Sequence, residues 1–270
     1  MAYNKGGESL GVKDTVTTKY MRQNEVFADA FNYFVYGGEQ VINPESLEEL
    51  DTREIDVPYG GEKGAKQAVA SHKVSGDYEG ADSDEYLSGF MKEDRLLPVV
   101  TLVIYFDSRK WDGPLSIHEM FLEQDARVLA LVPDYKINLI APASIEDHDF
   151  GKFQSSLKEV LSFIKYAKDK VELKKVLDSD ESFRHLGRNE VDVLNACVGA
   201  KIAVNEGEEA IDVCLAIQQM NEEAAQKERI STLLNNIKNL MEKMGWSAEQ
   251  SMDILNVSEN DRKALSQLLR

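Results

Sequence analysis

The sequence predicts an α/β protein with a helical C-terminal extension. Residues 96–106 form a nearly unbroken apolar run rich in β-branched residues, which reads as a strand buried on both faces. Residues 135–140 alternate roughly as a second strand does. From Phe150 onward the apolar residues recur at helical spacing. A chain of 270 residues that is 43% hydrophobic can bury one full core and a smaller appendage. The expected organisation is a flexible start over 1–18, an α/β core over 19–150 and helices over 151–270.

Along the chain, Met21, Val26, Phe27, Ala30, Phe31 and Phe34 place a core helix over 19–36, closed by Gly37 and Gly38. A short acidic helix over 45–50 and a brief strand over 54–57 follow, the latter stopped by Pro58. Residues 59–64 are an abrupt Gly-rich passage, 65–73 a polar helical stretch and 74–85 a loop. After the strand over 96–106 come a turn at 111–114 anchored by Trp111, a helix over 115–122 and the strand over 135–140. Helices are expected over 153–168, 190–197, 210–228 and 230–244, the last ended by Gly245. Ser247 with Gln250, and Ser258 with Asp261, have the spacing of side-chain N-caps for two more short helices. A helix-turn-helix layout fits the tail, but its last helices carry few Lys or Arg, which favours packing helices over DNA reading.

The formal charge of −17 disfavours broad attraction to DNA, because non-specific binding rests on cations that neutralise phosphates. The imbalance sits in residues 1–150, with 14 basic and 28 acidic side chains, against 17 and 20 over 151–270. The acidic half therefore needs a metal, a local basic edge or a protein partner to approach a phosphate. Cys197 and Cys214 lie in apolar helical surroundings and read as small core residues. No run has the roughly 18 apolar residues of a membrane span, and residues 1–19 lack a signal-type apolar stretch. A cytoplasmic location is the expectation.

Five phrases in order carry a resemblance: Asn24-Glu25-Val26-Phe27, Leu47-Glu48-Glu49-Leu50-Asp51, Leu97-Pro98-Val99-Val100-Thr101, Trp111-Asp112-Gly113-Pro114 and Pro133-Asp134-Tyr135-Lys136. Together they resemble the Rpn, or YhgA-like, recombination-promoting nucleases of the PD-(D/E)XK superfamily, often labelled transposases. The resemblance runs from about residue 14 to about 174 and more weakly to the tail. It implies Mg²⁺-dependent hydrolysis of DNA phosphodiester bonds linked to recombination and mobile elements. An Asp at one strand end and a Glu on its neighbour would hold Mg²⁺, while a Lys or Gln two positions later orients the attacking water.

The departure falls on that site. Between Tyr59 and Ala65, where the family places its Arg-Asp motif and a strand bearing Glu-Asn-Gln, stand only Gly60, Gly61, Glu62, Lys63 and Gly64. No catalytic Asp, Glu or Gln carries over, and the shortened core should have a smaller or rearranged sheet. The remaining candidates for a metal are weak. Glu25 and Asp29 lie one helical turn apart and can both face an ion, or form a solvent face. Glu54 and Asp56, alternate residues of a short strand, point to one side. Asp134 with Glu146, Asp147 and His148 has only a superficial Pro-Asp…Glu-X-Lys spacing and reads as a turn and acidic loop; Glu172-Leu173-Lys174 reads as an exposed helix face. His72 and His118 lack a second ligand at metal spacing and read as structural.

Three functions follow. The first is a degenerate Rpn-like nuclease that no longer turns over. The second is an active enzyme whose metal site is rebuilt from Glu25, Asp29, Glu54 or Asp56, or completed by another subunit. The third is a non-enzymatic helical module that dimerises or binds an intact relative and regulates it. DNA, a second copy or an intact relative are the expected partners.

Overall fold

Asn24–Tyr36 shows how the sequence builds its first core helix. Val26, Ala28, Asp29, Ala30 and Asn32 are buried, and the helix ends where Gly37 takes a left-handed φ of 65° and donates its N–H to the Asn32 carbonyl. The computed structural model describes residues 7–48, 98–122, 125–205 and 207–269, without the side chains of 7–10. Expected elements over 49–97, among them the strand at 54–57 and the helix at 65–73, lie outside the described residues.

Two helices, α1 (Gly7–Met21) and α2 (Asn24–Tyr36), replace the single helix expected over 19–36, and α1 includes much of the start expected to be flexible. The break at Arg22 and Gln23 has a geometric cause. Tyr20 and Val26 are both buried, yet at about 100° per residue one straight helix would set them about 120° apart around its axis. Beyond α2, Asn32 fixes the next turn: its side-chain oxygen accepts from the N–H groups of Val41 and Ile42. Gly38 is required here, because its φ is 100° and a Cβ would lie 2.7 Å from that of Lys152. Pro44–Ser46 is a single 3₁₀ turn where the acidic helix was expected; the Asn43 side chain caps it by accepting from the Glu45 N–H.

The chain has mixed α/β structure, mostly helix with a small sheet. Strand β1 (Leu102–Ile104) pairs in parallel with β2 (Asn138–Ile140), Leu102 opposite Asn138 and Ile104 opposite Ile140. The predicted strand over 96–106 is thus shorter in its described part, and it is not covered on both faces, since Val99, Val100 and Val103 are exposed. The helix expected over 115–122 is replaced by an antiparallel bridge at Ser116 and Lys136, then a 3₁₀ turn at His118–Met120. Backbone pairing decides that outcome: Ile117 donates to Tyr135 and Ile137 to Leu115, and Glu119 accepts from the Leu115 N–H. Helix α3 (Ala126–Leu129) lies in the excursion between these strands.

Helix α4 (Leu157–Tyr166) completes the first unit, Thr18–Lys165, burying Leu157, Val160, Leu161, Phe163 and Ile164. Phe153 is buried before it and stacks on Tyr33 with centroids 4.2 Å apart. The division therefore falls beyond residue 150, at the end of α4.

The second unit joins Met1–Thr17 to Tyr166–Arg270. Its helices are α5 (Lys170–Ser179), capped by Asp169; α6 (Arg188–Val198), ended by left-handed Gly199; α7 (Val213–Met244); α8 (Ala248–Ile254); and α9 (Glu259–Leu268). The helices expected over 210–228 and 230–244 are one, because the chain offers no glycine, proline or cap between them. Ile237, Met252, Val257 and Leu265 form the buried core of the tail, and Gly245, Ser247 and Ser258 terminate its helices as expected.

Candidate functional site

Asp29 is the candidate carboxylate that the fold uses most heavily. It is 2% exposed on α2, a position that polar side chains keep only when hydrogen-bonded. The Gln154 N–H donates to both of its oxygens at 3.0 Å, and Oδ2 also accepts from the Ser155 N–H at 2.8 Å and the Ser155 hydroxyl at 2.6 Å. The Ser155 hydroxyl oxygen accepts from the Leu157 N–H, the first of α4. Asp29 thus sets its charge at the N-terminal end of α4, where free N–H groups and the helix dipole both favour an anion.

Glu25, one turn earlier, is exposed. The spacing that suggested a shared ion holds, but α2 turns one carboxylate to solvent and the other inward to backbone donors. The two residues thus meet different surroundings, Glu25 facing solvent and Asp29 accepting from Gln154 and Ser155. Glu54 and Asp56 lie outside the described residues, as does His72. Among the described residues no group of three His, Cys, Asp or Glu side chains is gathered as a metal would require.

The other sequence candidates have local partners. Asp134 accepts from the His118 N–H, and His118 Nε2 lies 2.8 Å from the Val132 carbonyl, so both fix the turn before β2. Asp147 pairs with Lys165, while Asp149 pairs with Lys152, whose hydrogen bond holds the Asp149 carboxyl below its ordinary range. Glu172 pairs with Lys175 on α5. Cys197 and Cys214 are half-buried and not joined in a disulfide; burial pushes the Cys214 thiol up in pKa, away from the thiolate a nucleophile needs. Trp111 packs edge-on against Tyr105 at 5.3 Å, supporting the turn assigned to it.

Sequence reading missed two features. One is the acceptor role of Asp29, signalled only by Ser155 and Ser156 standing before an apolar helical run. The other is the continuous face formed by Leu115, Ile117, Tyr135, Ile137, Leu139 and Val103. Paired residues of adjacent strands share a side, and so do residues two apart. The bonds of Tyr135 and Ile137 run to one edge of the central strand and that of Ile140 to the other, so β1 and residues 115–117 flank it on opposite edges.

Comparison with family models, curated proteins and solved structures finds no match to this chain. Among the described residues no helix is long and apolar enough to cross a membrane.

Proposed function

We propose that the chain is an Rpn-like protein of the PD-(D/E)XK type that has lost phosphodiester cleavage and acts by association. The observation that carries this reading is Asp29: the candidate carboxylate that α2 buries already accepts from two backbone N–H groups and a hydroxyl. A divalent cation would have to displace those part-buried donors from the carboxylate, at a cost of up to about 1 kcal/mol for each bond lost. Five residues between Tyr59 and Ala65 span at most about 18 Å, too short for two paired strands and their turn. In support of an α/β core, two of the phrases behind the resemblance lie on or beside the parallel strands β1 and β2.

Cleavage of supercoiled plasmid by the purified chain with Mg²⁺, Mn²⁺ or EDTA tests the reading. The expected result is no metal-dependent nicking by folded protein. Nicking that EDTA stops and that Glu54→Ala with Asp56→Ala removes would show a rebuilt catalytic site and overturn it.

The helical-module reading draws on α7. All residues from 221 to 229 are exposed, and within this stretch Gln226 and Arg229 hold Asp261 of α9. The stretch leads to a tail with its own small core. Retention of an intact Rpn relative by the full chain, lost when residues 230–270 are removed, is the outcome this second reading expects.

A further inference from the structure

We infer that α8 and α9 form a clasp on α7, one that opens as a single piece about Gly245 and is fastened by Asp261. The fastening is polar and lies far from the pivot. Asp261 is 4% exposed; it accepts from the Gln226 side chain at 2.9 Å and from the Ser258 hydroxyl at 2.7 Å, and it pairs with the Arg229 guanidinium at 2.9 Å. At about 1.5 Å of rise per residue, about 24 Å of helix separates Arg229 from Gly245. Gly245 ends α7 with a left-handed φ of 70°, and a Cβ there would face open space, so close packing does not hold the pivot.

Little apolar burial lies between pivot and fastening. Met252 is the buried apolar side chain of α8 and Leu265 that of α9, whereas α4 alone buries Leu157, Val160, Leu161, Phe163 and Ile164. Segments with few buried apolar contacts open at low free energy, ahead of the rest of a chain. The two helices are tied to each other as well as to α7. Arg262 donates to the Val257 carbonyl at 3.0 Å and to the Asp253 carboxylate at 2.6 Å, and the Val257 N–H donates to the Met252 carbonyl. They therefore part from α7 together. The Arg229 side chain is 57% exposed, so solvent and salt reach the fastening. Closed, the clasp covers Ile237 and packs against Ile230, Leu233, Leu234 and Met241 of α7. Opening bares this stripe, so the clasp sets how much of the time the chain presents it.

Native-state hydrogen exchange of the full chain, under conditions where exchange reports the opening equilibrium, tests the inference. The expected result is one opening constant shared by 249–254 and 260–268, at least about tenfold larger than that of 157–166. Asp261→Asn should raise the shared constant about tenfold, as loss of hydrogen bonds to a charged group implies. Arg229→Gln should raise it about threefold, because that partner is exposed. Both variants should leave 157–166 unchanged. Added salt should promote opening of the unsubstituted chain and have little effect on Asp261→Asn, which has no ion pair to screen. Exchange graded inward from residue 268 would be end fraying, and a constant equal to that of 157–166 would mean that the tail opens only when the chain unfolds; either result overturns the inference.

Discussion

Asp29 and Cys214 show how burial decides what a reactive group does. Replacing Asp29 by Ala removes the acceptor for the part-buried Gln154 and Ser155 N–H groups just before α4. Hydrogen bonds to a charged group contribute about 1.5–3 kcal/mol each, and partial relaxation reduces the sum, so Asp29→Ala should lose about 3 kcal/mol in urea unfolding. A loss below about 0.5 kcal/mol would remove the structural role. Cys214 donates its S–H to the Leu177 carbonyl, and burial raises its pKa. It should therefore react more slowly with iodoacetamide at mildly alkaline pH than an unfolded thiol does. A raised folded pKa also gives the sign of its linkage: the contribution to stability is complete below the unfolded value and fades as pH rises through the folded one.

Asp261 is the acceptor through which α9 engages α7. Its hydrogen bond from the Ser258 hydroxyl depresses its pKa, aided by Gln226 and by the Arg229 guanidinium 2.9 Å away. A depressed folded pKa contributes stability above the ordinary value of 3.8 that is lost as pH falls through the folded one. Acid titration followed by helical ellipticity should thus show a loss below pH 3.8 that Asp261→Asn makes shallower, with part of the helicity already lost at neutral pH. Such local features were legible because they depend on nearest neighbours: Gly37 and Gly245 as stops, Ser247 and Ser258 as caps, and the stripe from Leu157 to Ile164. The break at Arg22 was not, because it serves to bring Tyr20 and Val26 inward together, a tertiary requirement. The apolar run before β1 suggested a doubly covered strand because composition registers hydrophobicity and not the number of layers that meet it. The candidate pair Glu25 and Asp29 was legible as spacing, but which of the two turned inward depended on Gln154 and Ser155, 125 and 126 residues away from Asp29.

The whole chain combines a charge of −17 with an uncharged apolar sheet face, and these two properties respond to salt in opposite senses. Were two copies to meet through that face, their acidic bodies would come close, and repulsion would oppose a contact driven by burial. At low ionic strength the screening length is about 30 Å, long enough to span much of each unit, and by 1 M it falls to about 3 Å. Salt should therefore strengthen such a contact. Attachment to DNA has the reverse dependence, because each lysine or arginine on a phosphate releases counterions whose return is favoured by salt. Paired titrations in sodium chloride can separate the two modes with one protein sample. Light scattering should report any association through that face as rising with salt, and fluorescence anisotropy on labelled duplex should report weak binding that falls. A dimer dissolved by salt would mean that ion pairs, not the apolar face, hold the copies together. Tight duplex binding at physiological salt would require a cationic groove capable of overcoming the acidic surface, and would make nucleic acid the chain's principal partner.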